Sequence, residues 1–144
     1  MESLNDQKVA ELKKVANDIR KDIIRMLSVA SSGHTAGALG MADIFTILYF
    51  HILKHDPKDP YWPKRDRLIL SNGHICPVLY ATMANAGYFN KDELLTLRKF
   101  GSRLQGHPHR EYLPFLETSS GPLGSGLSQA VGMAIADKIY GGDN

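Results

Sequence analysis

Arg67-Leu68-Ile69-Leu70-Ser71-Asn72-Gly73-His74 is the stretch on which the reading of the fold turns. Residues 67–70 form a short apolar run, the best strand candidate in the chain, and Ser71-Asn72-Gly73 ends it. His74 then falls just past the C-terminal end of that strand, the region where open α/β sheets bind ligands. Downstream, residues 76–86 predict a small-residue helix closed by Gly87. Asn90 reads as the N-cap of a helix over 91–99, with Asp92 and Glu93 favourable in its first turn. Upstream, residues 41–53 predict a helix that is apolar nearly all round, a pattern that is usually buried. Asp56-Pro57 and Asp59-Pro60 make the turn-rich connection between that helix and the strand.

The two ends of the chain complete the pattern. Over residues 6–31, Val9, Leu12, Ala16, Ile19, Ile23, Met26, Leu27 and Ala30 follow helical spacing, with Asn5 as N-cap and a stop near Ser31-Ser32-Gly33. Lys8, Lys14, Asp18, Lys21, Asp22 and Arg25 mark the solvated face. Residues 101–120 predict mostly loop. Gly121-Pro122-Leu123-Gly124-Ser125-Gly126 opens a last helix over about 127–140, rich in Ala, Val, Met and Ile. Two mostly apolar helices beside one strand need a partner surface. The expectation is an α/β fold, a parallel sheet flanked by helices, helix-rich in this stretch and with its other strands elsewhere. The chain ends at Gly141-Gly142-Asp143-Asn144, where such a fold would start its next strand.

Composition narrows the class. With 144 residues, 43% hydrophobic and 22% charged, the chain has the balance of a soluble globular domain. Net charge is +2, and the basic residues are scattered, as in Lys13-Lys14, Arg20-Lys21 and Lys64-Arg65. No basic stripe with interleaved aromatics supports nucleic-acid binding. Cys76 is the single cysteine, which rules out an internal disulfide and fits a reducing compartment. The N-terminus carries no signal-peptide pattern. The longest apolar run, Ile44 to Leu53, is broken by Thr46 and His51 and is too short to span a bilayer. These features predict a cytoplasmic protein with no membrane partner.

Chemistry is offered mainly by histidines. His34, His74 and His107 each follow a glycine in an expected loop, and imidazole is the side chain best suited to proton transfer near neutral pH. The alternative is three turns in which histidine is a chance polar residue. The Gly121–Gly126 segment leads into a helix. Its glycines admit close approach of a ligand and its free amides suit an anion, although glycine also serves plain tight packing. His51 and His55 have the i, i+4 spacing of zinc ligands but lack the zincin glutamate, so the helix-end role is favoured. His107-Pro108-His109 is equally ambiguous. Cys76 reads as a buried small hydrophobe.

Ser32-Gly33-His34, Leu70-Ser71-Asn72-Gly73-His74, Gly106-His107-Pro108 and Ser120-Gly121-Pro122-Leu123-Gly124 together resemble transketolase motifs, in that family's order and at similar spacings. The resemblance runs from the first helix to about Lys138 and looks most like the N-terminal subunit of split transketolases. It implies that residues 1–144 are the N-terminal part of the diphosphate-side, thiamine diphosphate-binding domain. It implies ketol transfer between sugar phosphates, catalytic only when completed by a C-terminal transketolase subunit or domain, and a homo-oligomer. By the matching motifs, His34 and His107 are the catalytic, substrate-facing residues. His74, Gly121, Pro122 and Leu123 are cofactor-binding, with the glycine turn nearer the organic rings than the phosphates.

Two departures carry consequences. Many family members have His-Pro-Gly where this chain has His34-Thr35-Ala36-Gly37, which predicts a less rigid loop. The family's Gly-Asp-Gly and downstream Asn, which bind Mg2+ or Ca2+ and the diphosphate, have no counterpart, and Gly142-Asp143-Asn144 does not supply them. The metal ligands are therefore expected outside this chain. Dihydroxyacetone synthase and deoxyxylulose phosphate synthase use related chemistry, and the Gly106-His107-Pro108 and Gly121-Pro122-Leu123-Gly124 motifs favour transketolase over the latter. Two rivals of other kinds are a non-catalytic subunit that docks on a partner, and a metal-dependent hydrolase using His51, His55, His107 and His109.

Overall fold

The computed structural model describes residues 4–140. Helix α1 (Asp6–Ala30) forms as its periodicity predicts. Asn5 caps it, its side chain accepting from the Lys8 N–H at 2.8 Å, and Ser31 ends it in the left-handed region. The apolar stripe Leu12, Ala16, Ile19, Ile23, Met26 and Leu27 is buried. Asp22 departs from the expected solvated face. It accepts from the Asn85 side chain at 2.7 Å and pairs with Lys91 at 3.3 Å, tying α1 to the two segments packed across it.

Helix α2 (Thr35–Gly40) was not anticipated from the sequence. Gly37 and Gly40 oppose helix formation in isolation, but tertiary packing overrides propensity here. Gly37 lies so close to Ile75 that an added Cβ would sit 2.7 Å from its side chain. The loop after His34, expected to be less rigid without a proline, is thus helical from Thr35 onward.

Helix α3 (Ala42–Ile47) widens into a π-helical turn, Leu48–Ile52, closed by Leu53 N–H donating to Leu48 O at 2.8 Å. Phe45 and Thr46 face the core, and Thr46 donates its hydroxyl to Ala42 O. The expectation that this segment is buried all round is corrected: Ile44, Ile47 and Ile52 are exposed.

Helix α4 (Cys76–Asn85) is the centre of the molecule, buried from Cys76 to Ala84 and packed by α1, α2 and α3. Pro77 sits in its first turn, where its missing N–H costs nothing. Gly87, at φ 93, leads the chain away as expected.

The predicted helix over 91–99 is a shorter 3₁₀ segment, Lys91–Thr96, capped by Asn90 as read. It stops because Leu97 leaves helical geometry and Arg98 takes φ 60. Residues 101–120 are turns and loop. Helix α5 (Ser125–Tyr140) starts two residues before the predicted point.

The strand expected at 67–70 does not form, and no strand exists among the described residues. A strand is defined by its ladder, and residues 66–70 have no partner strand to pair with. Their neighbours hold them instead. Asp66 exchanges two hydrogen bonds with Lys54. Glu117, from the long loop, takes Arg65 in a two-pronged pair at 2.8 and 2.9 Å and Arg67 at 3.0 Å. The expected turn at 141–144, including Gly142-Asp143-Asn144, lies outside the described residues.

Candidate active site

The four glycine-bearing motifs converge on one short piece of chain. Gly73–Ile75 is a single 3₁₀ turn leading directly into α4, so α4 sets the position of His74. Gly73 is buried and has no room for a side chain. A Cβ there would sit 2.8 Å from Ser120 Oγ and 3.0 Å from its carbonyl. That contact presses the Ser120-Gly121-Pro122-Leu123 turn onto the histidine turn. Ser71 makes the second clasp, its carbonyl accepting from the Gly124 N–H at 3.0 Å. Gly126, in the first turn of α5, packs on the Ser71 Cα.

His34 precedes α2 and reaches the same place from the other side. Its ring lies 5.0 Å from that of His74, edge to face at 65°. His34 is exposed and His74 half-buried, the arrangement expected of groups that meet a ligand at a rim.

His107 is carried there by its neighbours. Pro108 O accepts from the Ser120 N–H at 3.0 Å, linking the loop to the residue that touches Gly73. On the other side, Cys76 donates its S–H to Gly106 O at 3.2 Å and Tyr80 donates its hydroxyl to Gln105 O at 2.9 Å. Burial pushes the Cys76 thiol up to about 12 and raises the Tyr80 phenol as well, so both act as hydrogen-bond donors rather than as ionised groups. Cys76 is therefore the buried small residue the sequence suggested. The His107 side chain itself is exposed.

Gly121 faces open space, with nothing within 4 Å of an added Cβ, and Leu123 is 73% exposed. This turn offers bare backbone and an apolar side chain, a surface suited to a flat organic ring. Ser120 Oγ, buried against Gly73, has no hydrogen-bond partner among the described residues.

The other histidines stand apart from this group. His55 uses both ring nitrogens, donating to Tyr49 O at 2.7 Å and accepting from the Tyr88 hydroxyl at 3.0 Å, within a cluster of Tyr49, Tyr88 and Phe115. Its role is structural. His51 sits in the π-helical turn. His109 packs on Tyr112, with ring centroids 4.8 Å apart. Among the described residues no three His, Cys, Asp or Glu side chains are grouped to hold a metal, so the hydrolase alternative finds no cluster here.

Ser120 stood in a quoted motif without a role of its own, and Tyr80 and Arg98 were not singled out from the sequence. Tyr80 was hidden inside an apolar helix, and Arg98 carries no local signal of its left-handed backbone.

The helical frame thus clasps its glycine turns around the Gly73–Ile75 turn. The family described as "Transketolase, thiamine diphosphate binding domain" matches residues 11–143, and the chain belongs to that family. It is 41% identical over 140 residues to the chloroplastic transketolase of Solanum tuberosum, covering 96% of this chain and 19% of the relative. It is 46% identical over 127 residues to transketolase 2 of Escherichia coli (strain K12), covering 88% and 19%. Among solved structures, transketolase from Leishmania mexicana superposes with a TM-score of 0.84 at 42% identity, over 88% of this chain and 19% of that one. The Pichia stipitis transketolase complex with sedoheptulose-7-phosphate gives 0.85 at 35% identity, over 90% and 19%. The chain thus spans about a fifth of the length of the transketolases it matches.

Proposed function

We propose that this chain is the cofactor-facing N-terminal part of an enzyme that transfers a two-carbon ketol unit between sugar phosphates. The observation that carries the reading is the convergence at Gly73-His74: His34 lies 5.0 Å from His74 ring to ring, while Ser120 presses the Gly121 turn onto Gly73. The residues fit thiamine diphosphate. The open backbone at Gly121, with Pro122 and the exposed Leu123, makes an apolar edge for its rings, joined to the His74 turn through the Gly73–Ser120 contact. When bound, the cofactor supplies a nucleophilic ring carbon and an electron sink. The chain's own residues then do three things. His74, Gly121, Pro122 and Leu123 hold the cofactor. His34 and His107, both exposed, meet the sugar and move protons to and from its hydroxyls. The buried Cys76 and Tyr80 keep the His107 loop in place.

Mg2+ or Ca2+ belongs to this reading with ligands outside the chain. So do sugar phosphate substrates, a C-terminal transketolase subunit or domain, a homo-oligomer and a cytoplasmic setting. The described residues contain no helix long and apolar enough to cross a membrane.

A second reading, a non-catalytic subunit that docks on a partner, draws support from the exposed apolar side of α5. One assay separates the two. In the enzyme completed with the rest of a transketolase chain, ketol transfer is expected, and His34→Ala or His107→Ala lowers kcat by about 10²–10⁴. A completed protein that binds its partner without turnover favours docking alone. Full activity in both variants removes the proton-relay roles.

A further inference from the structure

Two non-glycine residues among those described have positive φ, Ser31 and Arg98. Ser31 ends α1, where a left-handed residue is ordinary. Arg98 is different. It lies in the loop before Gly106-His107, at φ 60, a strained conformation for a residue with a Cβ. Its N–H donates to Leu104 O at 3.0 Å, which draws the 98–104 loop closed.

The side chain shows what this backbone achieves. The Arg98 guanidinium lies against Gly106. A Cβ on Gly106 would meet its Nε at 2.6 Å, Nη2 at 2.9 Å and Cζ at 3.0 Å. Gly106 itself has no positive φ, and the atoms an added Cβ would meet all belong to the tip of the exposed Arg98 side chain, which must move aside for it. From the opposite side, Cys76 and Tyr80 of α4 hold the carbonyls of Gly106 and Gln105. Arg98 pairs with no carboxylate among the described residues. Arg103, nearby in the same loop, pairs with Glu93 and lies over Phe89 and Phe115. The Arg98 side chain, exposed on its outer side, thus rests on the glycine before His107.

We propose that Arg98 is a positioning residue for His107. Its guanidinium, brought there by a left-handed backbone, rests on Gly106 opposite the Cys76 and Tyr80 donors of α4 and steadies the point from which the exposed His107 side chain starts. This rests on reading His107 as a substrate-facing proton-transfer group. A planar guanidinium suits the task because it presents a flat face to the glycine, which the compact ammonium of lysine does not. Catalytic groups need support that holds them within a fraction of an ångström, and small displacements are costly to rate.

The test uses the completed enzyme and the variants Arg98→Ala, Arg98→Gly, Arg98→Lys, Gly106→Ala and Arg98→Ala/Gly106→Ala. Arg98→Gly relieves the backbone strain while deleting the clamp, so it separates position from folding. It should keep the thermal midpoint and the affinity for thiamine diphosphate, yet lose kcat by about tenfold or more. Amide exchange at Gly106 and His107 should rise with it. Arg98→Lys should resemble Arg98→Ala. Gly106→Ala should also lower kcat, but add no further loss in the Arg98→Ala background, because its added Cβ then meets nothing. Unchanged exchange at 106–107 in Arg98→Gly overturns the clamp, as do full kcat in Arg98→Lys and additive losses in the double variant. If the unmodified completed protein shows no ketol transfer, the functional reading fails, while exchange at 106–107 still decides the clamp.

Discussion

Helices α4 and α5 are written in nearly the same alphabet, small and apolar on most sides, yet they meet opposite fates. Every residue of α4 from Cys76 to Ala84 is buried. In α5, among the described residues, only Gly126 is, and Leu127, Val131, Ile135 and Ile139 line an exposed stripe at i, i+4 spacing. The difference lies in what surrounds each. Helix α4 has α1, α2, α3 and the 3₁₀ segment packed about it, whereas α5 is clasped chiefly at its N-terminal turn, through Ser71. A helix apolar all round says that it is meant to be covered. It does not say by what. The clasped end of α5 is the end that carries the candidate site, so the site's glycine turn is fixed although the rest of the helix is bare.

The contrast can be broken most severely at α4. Tyr80 is fully buried and holds the Gln105 carbonyl. Tyr80→Ala should cost about 3–5 kcal/mol, as aromatic truncations in cores do, in denaturant unfolding of the completed protein. A loss below 1 kcal/mol would mean that α4 is not the centre of the fold. Glu117 comes next. Its side chain is 9% exposed and faces Arg65 and Arg67, so Glu117→Ala strands two cations and should cost about 3 kcal/mol or slightly more.

A smaller effect follows from the Cys76 thiol, raised from 9.0 to about 12 mainly by burial. A group whose folded value is raised contributes stability that is intact below its unfolded value and is lost as pH climbs through the folded one. Unfolding midpoints should therefore show this loss between about pH 9 and 12, and Cys76→Ser should flatten that part of the profile. Iodoacetamide should label the native thiol far more slowly than the unfolded one at pH 8. Rapid native labelling would show that the thiol is not held by the 105–106 carbonyls. Smallest of all in stability is α5. Val131→Ala, on the exposed stripe, should shift unfolding by less than about 0.5 kcal/mol. The same stripe should make the 144-residue chain self-associate in sedimentation, and Val131→Ser with Ile135→Ser should reduce it. A monodisperse chain before substitution would show that the stripe is not sticky.

The sequence made the long periodic elements legible and hid the short ones. Helix α1 could be read from its stripe and from Asn5, because one face meets the core and the other meets water. Helix α2 could not, since its glycines argue against a helix and its reason for existing is the Ile75 side chain far along the chain. Residues 67–70 read as a strand because apolar runs of that length usually are, but a ladder requires a partner that local sequence cannot supply. The candidate site was legible as four motifs in order. That the motifs share one turn was not, because the joints are contacts without a sequence signature: Ser120 on Gly73, Gly126 on Ser71 and Arg98 on Gly106.

On the proposed reading, these joints build a thiamine diphosphate site around His74. The most direct measurement is a titration of the completed protein with thiamine diphosphate and Mg2+, followed by calorimetry or intrinsic fluorescence, for the unmodified form and for His74→Ala. Saturable binding is expected, weakened in His74→Ala by about tenfold or more while the unfolding midpoint stays put, as removal of one hydrogen-bonding or stacking partner would do. Equal affinity in the two forms would take His74 out of the site.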